Sequence, residues 1–164
     1  MLQTRLYRPA FALAGCVVTV ALAPSANAQS TTGTMTVSTT VASSCAVSNV
    51  SNVSFGTFAG QSVPQTDTTG SFDVTCTTGT AYSIALDRGV NVSGTTRRMK
   101  AGTSNYLSYE LYSDSGRTSI WSTAISGFTG TNSAQSRQVY ARLSSQSAPA
   151  PGTYTDTVTI TVAF

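Results

Sequence analysis

The chain has 164 residues, with nine Lys and Arg against six Asp and Glu, no His, and 52 Ser and Thr. Without His there is no His-based catalysis and no His metal site, and so few charges cannot hold a nucleic-acid duplex. Scarce Glu, Lys and Leu argue against a helical bundle, 40% hydrophobic content argues against disorder, and abundant Thr, Ser and Val suit pleated β structure.

The N-terminus reads as an export signal. Arg5 and Arg8 precede an apolar stretch from Pro9 to Ala23, and Ala26-Asn27-Ala28 forms a small-any-small cleavage site before Gln29. A bilayer span needs about 20 apolar residues, and this stretch falls short. Leu13-Ala14-Gly15-Cys16 looks like a lipobox, but the apolar run continues past Cys16 instead of turning polar. Cleavage between Ala28 and Gln29 leaves 136 residues of net charge +1 and two cysteines, Cys45 and Cys76. An even pair in an exported chain reads as a disulfide, whereas two ligands without His make no zinc site.

Along the remaining chain the hydrophobic period is two. The first alternating run sets Met35, Val37, Thr39 and Val41 against Thr34, Thr36, Ser38 and Thr40. Phe72, Val74 and Cys76 follow, then Tyr82, Ile84 and Leu86, then Leu107, Tyr109 and Leu111, then Val139, Ala141 and Leu143. The last run places Val158, Ile160, Val162 and Phe164 on one face and Thr155, Thr157, Thr159 and Thr161 on the other. Turn formers lie between: Thr78-Gly79, Asp87-Arg88-Gly89, Asp114-Ser115-Gly116 and Pro149-Ala150-Pro151-Gly152. This pattern predicts one all-β domain, an immunoglobulin-like antiparallel β-sandwich with one disulfide.

The run at residues 34–41 has no turn chemistry to fold it back before Cys45. Two readings stay open for it: an ordinary first strand, or a strand donated to another subunit by β-augmentation.

No catalytic constellation stands out. The acids Asp67, Asp73, Asp87, Glu110, Asp114 and Asp156 are scattered, and Asp67, Asp87 and Asp114 sit in turn-like contexts. Lys100, the one lysine, has Arg97 three residues before it, so no Ser-x-x-Lys motif exists. The basic cluster Arg97-Arg98-Met99-Lys100 reads as a solvated loop. Trp121, with Tyr106, Tyr109 and Tyr112 near it in sequence, reads as core or sheet-face packing more readily than as a carbohydrate platform. No enzyme, cofactor, metal or nucleic-acid partner is expected.

The residues Phe55-Gly56-Thr57, Val74-Thr75-Cys76 and Tyr82-Ser83-Ile84-Ala85-Leu86-Asp87 form part of a larger pattern. It continues through Leu107–Asp114, Arg117-Thr118 and Trp121, and ends in the block Gly152-Thr153-Tyr154-Thr155-Asp156-Thr157-Val158. In this order the chain resembles the spore coat protein U domain shared with Csu-type pilins of the archaic chaperone–usher pathway. The resemblance implies an immunoglobulin-like subunit lacking its last strand, handled by a periplasmic chaperone and an outer-membrane usher. Residues 1–28 would be the signal peptide, 29–41 the donor strand and 42–164 the sandwich domain. Met35, Val37, Thr39 and Val41 of the next subunit would enter a groove walled by Val158, Ile160, Val162 and Phe164. Four such side chains fully buried contribute about 6–12 kcal/mol before ordering costs. The resemblance thus implies a surface fibre supporting adhesion or biofilm formation. The alternative is a monomeric secreted spore-coat or carbohydrate-binding module.

Overall fold

The computed structural model describes residues 27–164. Most of the expected signal peptide, 1–28, lies outside the described residues, and Ala28 and Gln29 at its expected cleavage site are exposed. The chain divides into two units, one ending at Thr39 and one running from Thr40 to Phe164. In the first, the described residues join no sheet, and Met35 and Val37 are 88% and 89% exposed. The alternation at 34–41 therefore makes no strand of its own here.

The second unit is all-β and antiparallel. One sheet contains β1 (Cys45–Ser51), β3 (Thr66–Cys76), β8 (Gln135–Leu143), β6 (Asn105–Tyr112) and β5 (Arg97–Ala101), in the order β1-β3-β8-β6-β5. A second sheet has the order β10-β4-β7, from β10 (Ile160–Ala163), β4 (Ala81–Leu86) and β7 (Ile125–Thr129). A two-stranded ribbon pairs β2 (Ser62–Val63) with β9 (Gln146–Ser147).

The period-two runs build the interior. Phe72 and Val74 of β3, Ile84 and Leu86 of β4, Leu107 and Leu111 of β6, and Ala141 and Leu143 of β8 are all buried. Their neighbours along each strand turn outward, as strand geometry requires. Trp121 is a core residue, packed 6.2 Å from Phe72 and donating its indole N–H to the Ile84 carbonyl. Cys45 stands opposite Cys76 in the β1–β3 register, and the two form the disulfide.

Three strands differ from the sequence reading. The cluster expected as a solvated loop is β5, and Arg97 in it is fully buried. Its guanidinium pairs with Glu110 and donates to the carbonyls of Leu86, Asp87 and Trp121. Those partners come from three separate segments, so no local pattern marks the site. Asp67 lies in β3 instead of a turn, opposite Arg142 of β8. The final run is assigned as strand only over Ile160–Ala163, although Thr155 already exchanges hydrogen bonds with Lys100 of β5.

Several carboxylates are held below the usual range. For Asp67 the main cause is hydrogen bonding from Arg142 at 2.7 and 2.8 Å, against some burial. For Asp87 burial pushes upward, and hydrogen bonds from Gly89 and Thr159 outweigh it. For Asp114 the Ser119 amide acts most strongly. A folded value below the unfolded value means stability that is present above the unfolded pKa and lost as pH falls through the folded one. The urea midpoint is therefore expected to hold near neutrality and to fall below about pH 4. A midpoint unchanged from pH 6 to pH 3 would contradict these assignments.

Candidate functional site

Two strand edges in this domain are unpaired beside one another's sheets. β1 ends the first sheet and β10 ends the second, each with a single partner. Between them opens a cleft of about 380 Å³ that reaches the core.

One wall follows the end of β1. The strand carries a bulge between Ser48 and Ser51, where Asn49 takes a positive φ of 50° and donates a hydrogen bond to Asp73. Val50, Val53 and Phe55 follow and line the cleft. Gly70 of β3 permits this approach, because a Cβ there would sit 2.8 Å from the Ser51 carbonyl oxygen and 2.9 Å from Val53. The floor is apolar, with Phe72, Leu86, Leu111 and Val139.

The other wall is the segment leading into β10. Its alternate residues Tyr154, Asp156, Val158 and Ile160 line the cleft; Thr155 also borders it but is exposed, as are Thr157 and Thr159. On their other side Thr155 exchanges main-chain hydrogen bonds with Lys100, and the carbonyls of Thr157 and Thr159 accept from the amides of Val90 and Asp87. The amides and carbonyls of Asp156 and Val158 have no partner among the described residues. They form an open edge, a template for a further strand.

The expected groove residues divide. Val158 and Ile160 line the cleft. Val162 is partly buried against the core, outside the lining. Phe164 is 60% exposed and borders a shallow depression with Tyr82 and Phe128. The reason is the ladder: β10 pairs with β4 from Ile160–Leu86 to Ala163–Ser83 and so runs past the end of the cleft. Tyr154 and Asp156 complete the wall, because the same alternation, carried back from Val158, reaches both.

Asp156 is the polar group of this wall. Its Oδ2 accepts a 2.7 Å hydrogen bond from the Tyr109 hydroxyl, and its Oδ1 accepts two from Asn91. Burial first, and Asp156 second, push the Tyr109 pKa far upward, so that hydroxyl remains a donor. Gly89, at a φ of +78°, sits so close that any Cβ would collide with the Asp156 carboxylate. The other expected donor residues, Thr39 and Val41, are exposed, Val41 at 79%.

The six acids each serve the chain's own structure. Asp67 bonds Arg142, Asp73 accepts from Asn49, and Asp87 accepts from the amides of Gly89 and Thr159. Glu110 pairs with Arg97, Asp114 accepts from Thr118 and Ser119, and Asp156 accepts from Tyr109 and Asn91. That arrangement organises loops and edges.

Comparison with known proteins fits this geometry. No curated protein matches the chain. Among solved structures, it is similar to a chain of the CsuC–CsuE chaperone–tip adhesion subunit pre-assembly complex from archaic chaperone–usher Csu pili of Acinetobacter baumannii. Identity is 25% and the TM-score 0.52, over 76% of this chain and 40% of that one. A chain of a chaperone–tip adhesin complex from CFA/I fimbriae biogenesis shares the fold, with 14% identity and a TM-score of 0.52. That match covers 72% of this chain and 40% of the other. The family model for the Spore Coat Protein U domain matches residues 31–161. An immunoglobulin-like sandwich with this match over most of its length belongs to the Spore Coat Protein U domain family.

Proposed function

We propose that the chain is a structural, non-catalytic subunit of a surface fibre assembled by a chaperone–usher route. Residues 1–28 direct export, residues 29–41 are donated to a neighbouring copy, and residues 42–164 form the domain that accepts a strand. A periplasmic chaperone covers the cleft first, and an outer-membrane usher exchanges that cover for the donor segment. The fibre then stands outside the cell and supports adhesion or biofilm formation.

The observation that carries this reading is the open cleft between two unpaired strand edges, in a chain whose strand-patterned segment 34–41 joins no sheet. Strand addition satisfies the open main-chain groups and buries alternate side chains together, so it needs no catalytic group. The similarity to a chain from a Csu pilus chaperone–subunit complex supports the same partners. Against a carbohydrate-binding module, Trp121 is 3% exposed and Tyr109 is buried, which leaves only the half-buried Tyr106 and Tyr112 of the aromatic group.

Deletion of Gln29–Val41 tests the proposal. In cells carrying a chaperone and usher, the deleted chain is expected to accumulate as subunit without detergent-resistant polymers. Polymers of undiminished length from the deleted chain would overturn it.

A further inference from the structure

We propose that Asp156, held by Tyr109, recognises Thr39 of the incoming strand and so fixes that strand's register and direction. This rests on the strand-donation reading above and deepens it.

The wall presents Tyr154, Asp156, Val158 and Ile160 at alternate positions, one polar side chain among three with large apolar surfaces. The donor face presents Met35, Val37, Thr39 and Val41, again one polar residue among four. Laid antiparallel with Thr39 opposite Asp156, Val41 meets Tyr154, Val37 meets Val158 and Met35 meets Ile160. Every donor residue then faces a lining residue. Laid parallel with the same polar match, Met35 falls opposite Gly152, which is exposed and outside the cleft. A slip by two residues sets a valine against the carboxylate, and a slip by one turns the whole apolar set outward.

The chemistry at the contact is complementary. A carboxylate oxygen has two acceptor sites, and Oδ2 of Asp156 uses one for the Tyr109 hydroxyl. The remaining site accepts the Thr39 hydroxyl proton. Gly89 packs against this carboxylate and, having no Cβ, lets it sit where any other residue would displace it. A valine at position 39 would bury that second acceptor site unfilled, which is unfavourable.

The register also indicates whose strand enters. Tyr109, bonded to Asp156, lies 6.3 Å from Phe55, beyond the far end of β1. Cys45 starts β1 at the other end, across a seven-residue strand of about 20 Å. The four residue steps from Val41 to Cys45 reach at most about 14 Å. A segment with Val41 at Tyr154 therefore comes from a second copy.

Two measurements on polymers of the full chain, made with chaperone and usher, test this. Val37→Cys combined with Val158→Cys is expected to form a disulfide between subunits, and Val37→Cys with Tyr154→Cys or Ile160→Cys is not. Thr39→Val lies outside the folded domain and leaves it intact. It is expected to speed polymer dissociation in denaturant roughly ten- to hundredfold, with Thr39→Ser near native. Trapping at a shifted pair, or Thr39→Val polymers as durable as native ones, overturns the register. Polymers in which none of the three pairs traps overturn strand donation itself.

Discussion

Replacing Glu110 by Ala is expected to destabilise the domain by about 3–5 kcal/mol, because it strands a buried guanidinium. Arg97 has no solvent exposure, and the Glu110 side chain is 16% exposed. The three carbonyls around Arg97 accept from its Nε and Nη2 but supply no negative charge, and Nη1 donates to Glu110 alone. Taking the carboxylate away leaves a cation where water cannot reach it. In a domain of this size the thermal midpoint should fall by roughly 10–20 °C. Glu110→Gln should recover part of the loss by restoring an acceptor. An unfolding curve for Glu110→Ala that overlays the native one would show that the carbonyls alone carry the charge. The pair joins β5 to β6, and its other partners at Leu86, Asp87 and Trp121 tie in the second sheet, so the loss should be global.

Removing the Cys45–Cys76 disulfide, as the double alanine variant, is expected to cost about 2–5 kcal/mol. The bond joins residues 31 apart in sequence. Its local importance comes from the strand it anchors. Six of the seven residues of β1 are exposed, so little apolar packing holds that strand to β3. What holds it is the ladder, the disulfide, and the mutual hydrogen bonds of Ser44 and Thr77 next to it. Hydrogen exchange in the double variant should therefore rise first in Cys45–Ser51 and then at the adjoining cleft wall. Uniform exchange across both sheets, with β1 no faster than β8, would contradict this.

The parts legible from sequence are those governed by local alternation. β3, β4, β6 and β8 follow from apolar residues spaced by two, because each is buried on one face and solvated on the other. The disulfide follows from an even cysteine count in an exported chain. β1 and β7 are hidden because they are edge strands with little burial, so no apolar face is required of them. β5 is hidden for the opposite reason. Its most deeply buried residue is Arg97, whose burial depends on Glu110 thirteen positions away and on carbonyls from two other segments. For the cleft, Val158 and Ile160 were legible from the final alternating run. Asp156 was not, because a carboxylate breaks the apolar pattern, and only Tyr109 and Asn91 explain why it faces inward. The placement of Val162 and Phe164 depended on where β4 ends the ladder, which no local pattern encodes.

On the strand-donation reading, the open edge at Asp156 and Val158 is completed by residues 35–41 of another copy. Hydrogen exchange of chaperone-free polymers, compared with the Gln29–Val41 deletion as isolated subunit, tests it most directly. The amides of 35–41 and of 156–160 are both expected to be strongly protected in the polymer, and those of 156–158 to exchange rapidly in the deleted subunit. Polymers in which both segments exchange freely would contradict it.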